Sequence, residues 1–145
     1  MVTQERVVVH GRAFILLCRG PLPTGRYEIV VWEGRRLPWR RPYLHAPIRG
    51  RDAEEARDRA LEVLHTYVGL DRFRLMVERI VRRAAPGAEV EVGEDARDVL
   101  VSLRGAYALD VPLAVARREV LDRNADLERL RGLIRAHIDA YARRR

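Results

Sequence analysis

Near residue 50 the spacing of apolar side chains changes from every second residue to about every 3.6 residues, and no other feature of the chain restricts its fold so tightly. Upstream, Arg26–Glu33 alternates, with Tyr27, Ile29 and Val31 on one face and Glu28, Val30 and Trp32 on the other. Arg6–His10 is valine-rich, Gly11–Arg12 supplies a turn, Ala13–Arg19 is a second apolar run and Gly20–Gly25 is a Pro/Gly loop. Connections this short predict a three-stranded antiparallel meander. Ala13–Cys18, apolar on both faces, suits its central strand.

Downstream the helical period takes over. Asp52 with Glu55 forms a capping-box pair, and Ala53, Ala56, Ala60, Leu61, Leu64 and Val68 follow at helical spacing, with Gly69 as the expected stop. Asp71 is the expected cap of a second helix carrying Phe73, Val77, Ile80, Val81 and Ala84, and Pro86–Gly87 ends it. Ala88–Val92 and Val99–Leu103 read as a hairpin, whereas residues 105–110 fit either a strand or a loop. Pro112 is placed to open a helix, and helix-forming sequence continues almost to the C-terminus, as one helix or as two broken near Asn124. The expectation is a single α+β domain with one sheet of about five strands and helices on one side. Its element order hints at a hairpin-plus-two-helices unit used twice, without a residue-level repeat.

Within the C-terminal stretch, Leu113, Val120, Leu127, Ile134 and Tyr141 recur every seven residues, with Ala116, Arg123, Leu130 and His137 at the companion positions. A seam of Leu113, Val120, Leu127, Leu130, Ile134 and Tyr141 can serve a homodimer. The half-polar companion series favours packing on the protein's own sheet instead.

Connecting the two periodic regions, Gly34–Arg51 carries Pro38, Pro42 and Pro47, which exclude a regular helix or a central strand. It also carries most of the net charge. All 28 basic residues of the 145-residue chain are arginine, a composition expected from GC-rich coding, with adaptation to heat as a second contributor. Residues 1–51 hold 10 Arg against Glu5, Glu28 and Glu33, whereas residues 52–145 hold 18 Arg against 18 acids. Arg35, Arg36, Arg40, Arg41, Arg49 and Arg51 follow one another without an intervening acid. Guanidinium groups fork phosphates, and Trp39 and Tyr43 offer faces for unpaired bases. Within a segment like this, His45 is placed for acid–base work on a phosphodiester. The competing structural reading has Leu37, Trp39, Tyr43, Leu44 and Ile48 pinning the loop over the sheet. Its arginines are then solvated or paired with acids such as Glu54 and Asp58. Arg143–Arg145 is read as a frayed, solvated terminus.

Catalytic and metal chemistry have little support. His10, His45, His65 and His137 lack a histidine or cysteine at ligand spacing, so no metal or cofactor is expected. Ser102 lies within a strand without a glycine elbow, and Cys18 is the lone cysteine, in the most apolar strand. Glu89, Glu91, Glu94, Asp95 and Asp98 fit strand alternation and a polar turn better than an ion site. The longest apolar run, Ala13–Cys18, is six residues, far short of a membrane span, and a soluble cytoplasmic protein is expected. The first functional expectation is a non-enzymatic protein that binds nucleic acid through Arg35, Arg36, Trp39, Arg40, Arg41, Tyr43, His45, Arg49 and Arg51. The alternative is a homo-oligomeric interaction protein with an acidic protein partner, and the third is a phosphodiester-acting enzyme.

Overall fold

The computed structural model describes residues 1–34 and 42–145. It is α+β, and its chain divides into two compact units, Met1–Val68 and Gly69–Arg145. Among the described residues there are nine strands in three antiparallel sheets and three helices.

In the first unit, β1 (Val2–Val9), β2 (Arg12–Arg19), β3 (Tyr27–Glu33) and β4 (Ile48–Gly50) pair in sequential order. The predicted meander is present, and β2 lies between β1 and β3. The first hairpin turns on His10 and Gly11, with φ of 48° and 78°. Two adjacent positive φ values give the mirror-image turn that matches strand twist. Phe14 and Leu16 of β2, with Ile29 and Val31 of β3, face Ala56, Ala60, Leu64 and Val68 of α1 (Ala53–Ala84) in one buried cluster. Each larger apolar side chain buried there contributes on the order of 1.5–3 kcal/mol. Helical spacing of small residues at 56 and 60 lets the first turns of α1 approach the sheet closely.

Two side-chain contacts tie this helix to β1 and its turn. The His10 and His65 rings stack at 4.3 Å, and His10 Nε2 lies 3.2 Å from the His65 carbonyl oxygen. Arg57 forks both carboxylate oxygens of Glu5, with Nε–Oε2 and Nη2–Oε1 distances of 2.8 Å. That hydrogen bond holds the Glu5 carboxyl below its ordinary range. A depressed native pKa means the contact stabilises the fold above the unfolded-state value, and the contribution is lost as pH falls through the native value. Acid titration of Glu5→Gln is therefore expected to show a shallower loss of stability below the ordinary glutamate range than the parent. Equal slopes in paired denaturation series would reject the contact.

The proline-rich connector is not irregular throughout. Its last part, Ile48–Gly50, is β4, paired with Tyr27–Ile29 at the sheet edge. An edge position accommodates the preceding Pro47, because no neighbour needs its missing N–H.

Gly69 does not stop α1. The helix is continuous from Ala53 to Ala84, so the expected pair of helices is one. An interior glycine costs roughly 1 kcal/mol relative to alanine, less than the burial gained by apolar stripes on both sides of it. In the second unit that stripe is Phe73, Met76, Val77 and Val81. It packs with β6 (Asp98–Gly105), β8 (Leu113–Ala116), α2 (Arg117–Leu121) and α3 (Leu127–Tyr141). The expected hairpin is β5 (Ala88–Glu94) with β6, and β8 pairs on the other side of β6. Within α1, Arg72 reaches the Val120 carbonyl at 3.2 Å.

Pro112 precedes a strand rather than opening a helix. Leu113 and Val115 are buried while Ala114 between them is exposed, an alternation that suits β pairing and offers nothing to a helical stripe. The helical remainder is broken around Asn124, and the Asp126 carboxylate caps α3 by accepting from the Arg129 N–H at 3.0 Å. The heptad positions therefore do not lie on one helix. Leu113 is in β8 and Val120 in α2, while Leu127, Leu130, Ile134 and Tyr141 are in α3. Leu113, Val120, Leu130 and Ile134 are buried in the core of their own unit, which is the intramolecular alternative.

The ambiguous residues 105–110 contain β7 (Tyr107–Leu109), paired with β9 (Ala142–Arg144). The terminal arginines are thus partly in a strand, and Arg143 Nε lies 3.2 Å from Asp110. A single five-stranded sheet gives way to sheets of four, three and two strands. The additional strands lie in sequence whose prolines or helix formers mask a short extended segment.

Candidate anion-binding surfaces

Of the predicted basic segment, Arg35, Arg36, Trp39, Arg40 and Arg41, with Leu37, lie outside the described residues. Backbone bonds on either side of them are defined. The Gly34 N–H donates to Ala13 O at 2.9 Å, and the Tyr43 N–H donates to Val31 O at 2.7 Å. Tyr43 packs edge-on against Phe14 with centroids 4.9 Å apart, and the Arg12 guanidinium lies 5.3 Å from the Tyr43 ring centre. Leu44 is buried in the same cluster. Tyr43 and Leu44 therefore do what the structural reading of this loop expects of them. His45 is exposed.

Arg49 and Arg51 flank Gly50 and belong to two separate charge triplets. In the first, Arg19, Glu28 and Arg49 are direct register partners across β2, β3 and β4. Glu28 is only 3% exposed, hydrogen-bonded by Arg19 Nε, with Arg49 Nε 3.8 Å away. In the second, the Glu55 carboxylate accepts a hydrogen bond from Arg51 Nε at 2.7 Å and forms an ion pair with Arg59, whose Nη2 lies 2.8 Å away. The Arg51 hydrogen bond, reinforced by the charges of Arg51 and Arg59, holds Glu55 below the usual carboxylate range. Each triplet has two guanidiniums for one carboxylate, leaving one net positive charge. Arg51 is 84% and Arg49 63% exposed, so both remain accessible to an anion. The N-terminus of α1 itself is taken, because the Asp52 carboxylate accepts from the Glu55 N–H at 2.8 Å.

A second basic surface lies in the other unit, where the sequence indicated charge balance. Arg79, Ile80, Arg82 and Arg83 of α1 and Glu128, Arg131, Gly132 and Arg135 of α3 line a cleft of about 650 Å³. Glu128, its one carboxylate, is paired with Arg131. Among the described residues, no ion pair reaches Arg79, Arg82, Arg83 or Arg135, and Glu78 is engaged by Arg74. The signal for this cleft was present as arginines at helical spacing, 79, 82 and 83 on α1 and 131 and 135 on α3. Finding it requires knowing that these two helices face one another.

The remaining chemical candidates have structural surroundings. Glu91 and Glu94 pair with Arg104 and Arg117 at 3.2 Å each. The Asp95 carboxylate accepts from the Arg97 and Asp98 N–H groups in the hairpin turn, which keeps it ionised below the usual range. His137 bonds the Val111 carbonyl and packs on Tyr141, and Cys18 packs on the first unit's core. Ser102 is within β6. Among the described residues, no helix is long and apolar enough to cross a membrane. Comparison with protein-family models, curated proteins and solved structures finds no match to the chain.

Proposed function

We propose that this protein is a non-enzymatic, cytoplasmic nucleic-acid-binding protein whose contact surface is centred on residues 35–51. The observation that carries the proposal is the run of six arginines from Arg35 to Arg51 without an acid. Support comes from Arg49 and Arg51, which stay exposed and leave a positive residue of charge after Glu28 and Glu55 are counted. Tyr43 packs edge-on against Phe14, which favours Trp39 as the aromatic candidate for a base platform. His45 contributes as a donor at the surface, without a catalytic role.

Binding of a short single strand and of a duplex, measured across a salt series, tests this. Each phosphate contact contributes a slope of roughly 0.7 for a single strand and 0.9 for a duplex in log affinity against log salt. Replacing Arg35, Arg36, Arg40 and Arg41 with serine is expected to reduce that slope by about 3, with folding unchanged by circular dichroism. An unaltered slope sinks the surface. Absence of nucleic-acid binding favours the rival, a homo-oligomeric interaction protein whose basic face meets an acidic protein.

A further inference from the structure

The arginine cleft of the second unit is not used by that reading. We propose that it binds a compact polyphosphate, a short run of linked phosphates as in inorganic tripolyphosphate or the tail of a nucleoside triphosphate. Five guanidiniums line it against one carboxylate, and that carboxylate is already bound to Arg131. Arg79 with Arg83, and Arg131 with Arg135, are like-charged neighbours one turn apart, an arrangement that destabilises a helix unless a counter-charge is present. Placement at a helix C-terminus explains Arg82 and Arg83, which sit in the last turn of α1. It does not explain Arg79, nor Arg135 in the interior of α3, whereas Arg131 has Glu128 as its counter-charge.

The uncharged lining is Ile80 and Gly132. With no aromatic face there is no platform for a base, so the ligand is recognised by charge density rather than by stacking. Guanidinium forks match phosphate oxygens bidentately, and several converging forks match several linked phosphates. The volume of about 650 Å³ lies within the range of small-molecule sites. A Cβ added at Gly132 would meet nothing within 4 Å, so the wall of the cleft is open at that point.

Calorimetric titration of the full-length protein with tripolyphosphate, at constant ionic strength, tests the site. Saturable binding and a concentration-dependent rise in Tm are expected. Arg131→Ser with Arg135→Ser is expected to weaken binding at least about tenfold, since charged hydrogen bonds are lost. Gly132→Glu, which introduces an opposing charge without a clash, is expected to do the same with an unchanged circular dichroism spectrum. ATP should bind and AMP should bind much more weakly. Affinity for ATP well above that for tripolyphosphate assigns the ligand to nucleotides, and equal affinity assigns it to free polyphosphate. The Arg35, Arg36, Arg40 and Arg41 serine variant should retain this binding, which separates the cleft from the nucleic-acid surface. Non-saturable binding, binding indifferent to the cleft variants, or an oligonucleotide that binds the cleft where tripolyphosphate does not, would overturn the proposal.

Discussion

Replacing Gly50 with alanine is expected to destabilise the first unit by about 3 kcal/mol, the upper part of the range for forcing volume into a packed site. A Cβ at this position would lie 2.3 Å from the Ala56 nitrogen and 2.7 Å from its Cα. These are backbone atoms in the first turns of α1, so no rotamer change relieves the contact. Either β4 must separate from β3, where Gly50 pairs with Tyr27, or the start of α1 must retreat from the sheet. Gly93→Ala is the matched control, because a Cβ there meets nothing within 4 Å, and its effect should stay within about 0.5 kcal/mol. Urea unfolding of the two variants decides the matter. A Gly50→Ala midpoint equal to that of the parent would mean that strand and helix do not approach as closely as described. Since Gly50 separates Arg49 from Arg51, the same variant should also disturb both charge triplets. Nucleic-acid binding by this variant is therefore interpretable only at temperatures where it remains folded.

The close approach at Gly50 also shows what a sequence reading can and cannot recover. β3 was legible because alternate residues carry its apolar face, and Ile29 and Val31 are buried as that pattern requires; β2 was legible as an unbroken apolar run between turn residues. The capping role of Asp52 was legible for the same local reason. Gly50, however, is required by a helix packed against the strand, and nothing within its own neighbourhood in the sequence marks it. Leu113–Ala116 was misread because Leu, Ala and Val are compatible with helix. What makes it a strand is the unsatisfied edge of β6, a partner several residues away. Propensity yields in such cases to tertiary pairing.

The distribution of charge also reads differently once the chain is divided by its units. Counting from residue 52 onward includes the acidic first turns of α1, with Asp52, Glu54, Glu55, Asp58 and Glu62 against Arg57 and Arg59. Those residues belong to the first unit, where Glu55 and Arg57 are engaged with local partners. Divided at Val68, the second unit holds 16 Arg against 13 acids, a net of +3, and the first holds 12 Arg against 8, a net of +4. Both units are basic. The apparent neutrality of the long C-terminal part came from placing the boundary at the start of a helix instead of within it. For the basic segment, the sequence suggested two uses for its aromatic residues, stacking on bases and packing on the sheet, and in the structure Tyr43 packs edge-on against Phe14.

Continuity of α1 leads to the sharpest contrast between the two readings. Were a second helix to begin at Asp71, Arg72 would be its first helical residue, the position at which proline is best tolerated. In the continuous helix, position 72 lies in the interior. Proline there removes the N–H that would bond the Val68 carbonyl and places its ring against that same oxygen, at a cost of about 3 kcal/mol or more. Arg72→Pro is therefore expected to lower stability by at least about 3 kcal/mol beyond Arg72→Ala. The alanine variant accounts for the lost guanidinium contact to the Val120 carbonyl, worth about 0.5–1.5 kcal/mol. Helical circular dichroism should fall in the proline variant and stay near the parental value in the alanine variant. Val68 is fully buried, and Phe73 on the other side is nearly so, so a kink between them must disturb apolar packing as well as one hydrogen bond. Equal stability of the proline and alanine variants would place a helix start at Asp71 and restore the two-helix reading.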